Sequence, residues 1–263
     1  MVGRLAGMVV FLGAAAMGAR AASVPSSALT DYAVLGLEEV TLGHGVRVAS
    51  GDVGANGGDV VLDARVRVAG TVAGTRVRIG KRVKLGDLFC FLVQGPRRFT
   101  CEGFSLPFIE AASLPPVQAQ PGTTPTMIPA HTRTAPLSAG SYGEARVGER
   151  AILNLAGGTY VFESIQLDRH SQLTCQADCR IEVAGRVRLA PHASATGLGN
   201  IRFEIAHEGR QAAFRAARDV LVQAVVYAPA GTIDLGPHGH FTGSVVGRSV
   251  VVGRRTRLAL GGS

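Results

Sequence analysis

An all-β fold is predicted by this sequence: a parallel β-helix, or β-solenoid, with turns of about 17 to 22 residues and one Pro-rich interruption. Three observations predict it. A nine-residue frame recurs along most of the chain, which is the signature of a repeat architecture. Each copy alternates apolar and polar residues with the period of a half-buried strand. The composition, with 35 Gly, no Trp and only 4 Tyr, suits short strands joined by tight corners.

The first element stands outside the fold. Met1 to Ala21 has the layout of a secretory signal peptide, with Arg4 as the early charge, an apolar run from Leu5 to Gly18, and Ala19-Arg20-Ala21 as an A-x-A cleavage site. The apolar run is shorter than the roughly 20 residues of a spanning helix, and no later segment is apolar enough to span a bilayer. The expected compartment is therefore the periplasm, the cell surface or the medium. Residues 22–89 read as an N-terminal cap and a first solenoid block, 90–140 as a disulfide loop with a Pro-rich segment, and 141–263 as a second block.

The frame carries aliphatic residues at positions one and three, Gly, Asp or Ala at four, usually Arg or His at six, and an apolar residue at nine. Its copies are Val40–Val48, Val60–Val68, Val77–Leu85, Ala145–Leu153, Ile165–Leu173, Val187–Ala195, Ile233–Phe241 and Val250–Leu258, and Phe203–Gln211 reads as a degraded ninth. Positions one and three face inward, and the small or acidic fourth residue ends the strand at a corner, because Gly tolerates positive φ and Asp can satisfy turn amides. A single turn cannot bury its own apolar face, so turns must stack. Asp31 to Glu38 could cover the N-terminal end. The last copy, at Leu258, then lies bare, and a bare strand edge pairs with another chain, which makes end-to-end self-association an expected partnership.

Between the blocks the repeat stops. Leu106 to Pro136 holds seven prolines and reads as an extended segment along the solenoid or as a hinge between two halves. Glu208 to Asp219, rich in Ala, is the one segment where a short helix competes with an irregular loop. Four cysteines form two local pairs, Cys90 with Cys101 and Cys175 with Cys179. Disulfides fit an exported chain, though four cysteines allow three connectivities; zinc is the rival, at spacings that match no common finger.

Position six is the candidate site. Gly45, Arg65, Arg82, Arg150, His170, His192, His238 and Arg255 occupy it, so stacking predicts a ladder of basic side chains along one corner, one rung every ~4.8 Å. Like charges at that spacing repel. The ladder is either a track for an acidic polysaccharide or a solvated corner where any polar residue serves. The formal charge of +8 falls to +6 without Arg4 and Arg20. No metal or other cofactor is expected: His170, His192, His238 and His240 lack a carboxylate or Cys at a repeated spacing. Nothing in the sequence places a nucleophile elbow, and the glycines around Gly54 to Gly58 precede no phosphate-loop Lys-Ser/Thr. Nor are aromatics interleaved as single-stranded nucleic acid requires, so no nucleic-acid partner is expected.

The segment from Val226 to Gly253, with Tyr227-Ala-Pro-Ala-Gly231 and Thr242-Gly-Ser-Val-Val-Gly247, resembles secreted bacterial surface β-solenoid proteins, and Leu155–Leu167 and Tyr32–Gly43 extend the likeness. These proteins are loosely similar to polymer-forming bactofilin-type domains. The resemblance implies a right-handed parallel β-helix and a non-enzymatic structural or adhesive role at the surface. Two enzyme classes are alternatives. Leu62-Asp-Ala-Arg-Val-Arg67 and Ile79-Gly-Lys-Arg-Val-Lys84 are similar to the hexapeptide of left-handed β-helix acyltransferases, although here it appears mostly once per turn. A β-helical polysaccharide lyase would need an acidic calcium cluster that the sequence lacks. Tyr32 to Gly58 also looks like the start of bacterial ice-binding β-helices, without their Thr-rich faces.

Overall fold

The computed structural model describes residues 31–96, 98–102, 114–209 and 211–261; the expected signal peptide and the first part of the Pro-rich segment lie outside the described residues. Regular structure within them consists of 24 β-strands, and the pairings are parallel. The all-β solenoid is as the repeat predicted. No helix among the described residues is long and apolar enough to cross a membrane.

Positions one to three of every copy form one stack of strands, and positions eight and nine form a second. Residues one and three point inward as the alternation requires: Val40, Leu42, Val60, Ile165, Leu167, Ile233 and Leu235 are buried in a single continuous core. The turns between Tyr142 and Phe214 fill theirs with aromatics. Tyr160 and Phe162 stack at 6.3 Å between ring centroids, and Tyr142 meets Phe162 at 5.4 Å.

The order of turns in space is not their order in the chain. Going along the stack, Thr126–Ile128 is followed by Ala145–Val147, Ile165–Leu167, Val187–Leu189, Phe214–Ala216, Val225–Leu235 and Val245–Val252. The next strand is Tyr32–Leu42, near the beginning of the sequence, with Val40 opposite Val250 and Leu42 opposite Val252. Asp59–Leu62, Val72–Ile79 and Leu88–Gln94 complete the stack. The chain thus starts in mid-stack, climbs to one end, returns to the other, and climbs back to meet its own first strand.

This arrangement corrects two expectations. Leu258 is not bare: it pairs with Val48, and the amide of Ala49 donates to its carbonyl at 2.8 Å. Asp31 to Glu38 is not a terminal cap but belongs to an interior strand, with Ser244 Oγ donating to the Tyr32 carbonyl at 2.7 Å across the seam. The physical reason is that any turn with a matching apolar face can follow any other, so the two blocks cover each other's inner edges.

The described part of the Pro-rich segment, from Leu114 on, packs along the solenoid as an extended strap. Leu114 is buried with Tyr32, Leu35, Tyr227 and Val246 at the seam, and the Tyr227 hydroxyl donates to the Pro115 carbonyl at 2.9 Å. Further along, Gly143 N–H donates to Thr124 at 2.7 Å and Thr126 N–H to Glu144 at 2.8 Å, where the repeat has already resumed. Thr126–Thr134 is a copy that the sequence reading missed, because Thr replaces the aliphatic first residue.

Another missed copy is Phe214–Val222, so the described part of Glu208 to Asp219 is neither helix nor plain loop. Phe214–Ala216 pairs between Val187–Leu189 and Val225–Leu235, and burial of Phe214 outweighs the helical leaning of the alanines around it. Phe203–Gln211 is not a copy of the frame: Phe203 lies in Ile201–Ile205, which stacks on Cys179–Val183 on another face. Both local cysteine pairs are disulfides, with Cα atoms 5.3 Å apart for Cys90–Cys101 and 6.2 Å for Cys175–Cys179.

Candidate anion-binding groove

Position six is a left-handed corner in every copy. Along the stack, His131, Arg150, His170, His192, Asp219, His238, Arg255, Gly45, Arg65 and Arg82 all have φ between 56° and 72°. The corner is held by the next turn: the N–H of residue six donates to the carbonyl of residue five one rung on, as in Arg150 to Arg169 at 3.0 Å, His238 to Arg254 at 3.0 Å and Arg65 to Lys81 at 2.8 Å. The position-six residues therefore line up on successive rungs of one corner. His170 and His192 have parallel rings, 4.8 Å apart and inclined by 4°.

Backbone demand alone does not explain who occupies the corner. Gly, Asn, Asp and His enter this region most readily, whereas an ordinary side chain there costs roughly 1–2 kcal/mol. Arg stands at Arg65, Arg82, Arg150 and Arg255 nonetheless.

Three of the seven predicted ladder residues, Arg65, Arg82 and Arg255, come together in an open groove of about 700 Å³. The other half of its lining is position eight, which sequence reasoning missed. Arg257, Arg47, Arg67 and Lys84 stand there on successive rungs, Arg257 opposite Arg47, Arg47 opposite Arg67, and Arg67 opposite Lys84. The signal was present as a basic-x-basic pattern, Arg65-Val-Arg67, Arg82-Val-Lys84 and Arg255-Thr-Arg257. Position seven between them is buried in each case, Val66, Val83 and Thr256, so a row of inward-turned residues separates the two basic columns. In the second rung, that of Arg47, Gly45 replaces the corner side chain; a Cβ there would meet Arg255 Cγ at 3.6 Å.

Arg98 and His44 complete the lining, and no carboxylate lines it. Among the described residues, none of these eight Arg and Lys side chains makes an ion pair, whereas the arginines of the outer faces do, Arg180 with Glu204 at 2.8 Å, for example. Two unit charges ~5 Å apart repel by about 1 kcal/mol even in water, so a double row of them is an electrostatic well for an anion.

The remaining predicted residues, Arg150, His170, His192 and His238, lie on the same corner outside the lining of this groove. Arg150 is followed at position eight by Ile152, His170 by Gln172, His192 by Ser194. His192 Nε2 lies 3.9 Å from Asp219 Oδ2. Among the described residues no group of three or more His, Cys, Asp or Glu is arranged to hold a metal. A second hollow, about 440 Å³, lies between the strap and Arg180, Arg202, Glu204 and Tyr227. Its charges are spent on one another: Arg202 Nε sits 2.6 Å from Glu204 Oε1, and burial first, then Glu204, raises the Tyr227 phenol to about 12 against a lowering pull from Arg202.

Fold and groove together define a β-solenoid with a cationic furrow parallel to its stacking axis. No protein-family model matches the chain, and no curated protein does. Among solved structures, one described as the crystal structure of an ice binding protein from an Antarctic Biological Consortium is 12% identical, with 99% of this chain and 96% of that one covered and a TM-score of 0.28. At that score the likeness carries no argument about what this chain binds.

Proposed function

We propose that this chain is an exported, non-enzymatic surface protein that binds an acidic polysaccharide along the cationic groove. The observation that carries the reading is the pairing of basic columns at positions six and eight without acidic partners. Two disulfides support a place in an oxidising compartment. A polyanion lying in the groove would release its counterions, so binding should weaken steeply with salt. The test is titration of polygalacturonate into the protein at low ionic strength. Wild type should bind with a salt-dependent affinity, and Arg47→Ser with Arg67→Ser and Arg257→Ser should weaken it tenfold or more. Wild type that ignores the polymer at low salt would sink the proposal.

End-to-end assembly is a second reading, and it rests on a different edge from the one expected. Thr126–Ile128 ends the longest run of paired strands, and among the described residues nothing pairs with its outer side, which leaves the edge free to take another chain. Sedimentation that shows a monomer at every concentration would remove it.

A further inference from the structure

The groove has a definite length, and its geometry points to one linear polymer class. We infer that it takes a polyuronate, one sugar per rung along the stacking axis, with His238 and His240 as its terminal fifth rung. This inference rests on the acidic-polysaccharide reading above and goes further by assigning repeat and length.

Spacing argues for a linear polymer. Rungs recur every 4.7–4.9 Å in a straight line, which a chain carrying one carboxylate per sugar can follow rung by rung. Two columns flank a row of inward-turned residues, which suits a chain whose successive carboxylates point to alternate sides. Guanidinium forks match carboxylates two bonds at a time.

The ends are marked by chemistry. At one end Arg98, carried by the Cys90–Cys101 loop, donates from Nη2 to the Val83 carbonyl at 2.8 Å, between Arg82 and Lys84 in sequence, and lines the groove. At the other end His240 stands opposite Arg257, and the His238 amide bonds to Arg254, so this His-x-His rung continues both columns. Beyond it the track stops, because the next rung presents Asp219 and Leu221.

The groups facing the histidines are Arg255 and Arg257 on the groove side, Arg254 beside them, and Asp219 and Leu221 on the other. Asp219 is shared with His192 at 3.9 Å and Arg218 at 4.0 Å. Four rungs carry Arg or Lys, and the fifth offers the imidazole N–H groups of His238 and His240 as donors to a carboxylate.

The experiment is calorimetric titration of the intact protein with oligogalacturonates of increasing length at low salt. Affinity should climb with each added sugar and level off near the length of the track, about five residues at one sugar per rung. His238→Ala with His240→Ala should move the plateau one sugar shorter. Affinity that rises without a plateau, or that inorganic polyphosphate reproduces at equal charge, overturns the polyuronate assignment. A plateau that the histidine substitutions leave in place overturns the histidine rung. Failure of every polyanion to bind is a different result, and it rejects the underlying reading.

Discussion

The two halves of the solenoid share one backbone corner and differ in what they hang from it. From Arg255 to Lys84 the corner carries Arg at six, Gly45 excepted, and Arg or Lys at eight, and the core beneath is built of Val, Leu and Ile. From His131 to His238 the same corner, with the same φ and the same hydrogen bond to the next turn, carries mostly His, and position eight is mixed. The core there is aromatic. The comparison separates scaffold from surface: inward positions and the corner backbone are set by stacking, while outward positions are free, so a one-sided charge pattern on them calls for an explanation outside the fold.

The largest expected effect is on the core. Phe162→Ala should cost about 4 kcal/mol, and Val60→Ala in the other half about half of that, because the aromatic leaves the bigger cavity. Urea unfolding would measure both, and equal losses would mean that the halves are packed alike.

The seam between the halves should open at alkaline pH. Burial, with Asp52 and Asp31 behind it, raises the Tyr32 phenol to about 12, and burial raises Tyr227 to about 12 as well, from an ordinary value of 10.0. The unfolded chain releases these protons first, so their contribution is complete below pH about 10 and is lost as pH rises towards about 12. Thermal unfolding followed across that window should show the fall, and Tyr227→Phe should lessen it.

A smaller effect tests whether the groove is only its side chains. Ile152→Arg, Gln172→Arg and Ser194→Arg would copy the position-eight column onto the histidine half, and polygalacturonate affinity at low salt should rise about tenfold, worth about 1.4 kcal/mol. No gain would mean that Gly45 and Arg98 shape the groove as much as charge does.

The smallest change concerns the corner itself. Arg150→Gly should stabilise by up to about 1 kcal/mol by relieving the left-handed strain, and Arg150→Val should destabilise by a similar amount. Arg65 should respond alike in stability, and only there should polymer affinity also drop.

Much of this was legible beforehand because it is local. Alternation at Val40, Leu42, Ile165 and Leu167 names the buried face, and Arg or His at position six marks the corner. Phe214–Val222 and Thr126–Thr134 were missed because stacking tolerates a large ring or a Thr where the frame prefers an aliphatic residue. The position-eight column was overlooked for another reason. Arg47, Arg67, Lys84 and Arg257 are each unremarkable alone and become a row only once Arg47 lies opposite Arg257.

By itself, then, the sequence determined the turn: its strands, its corner, and its inward and outward residues. Only the tertiary structure decided which turn lies on which. That order depends on contacts between residues some 210 positions apart, such as Leu260 N–H with Ser50 Oγ, and a parallel strand accepts any neighbour with the same period. The meeting of first and last turns placed Arg255 and Arg257 beside Gly45 and Arg47, and it joined the charges of two distant segments into a single groove.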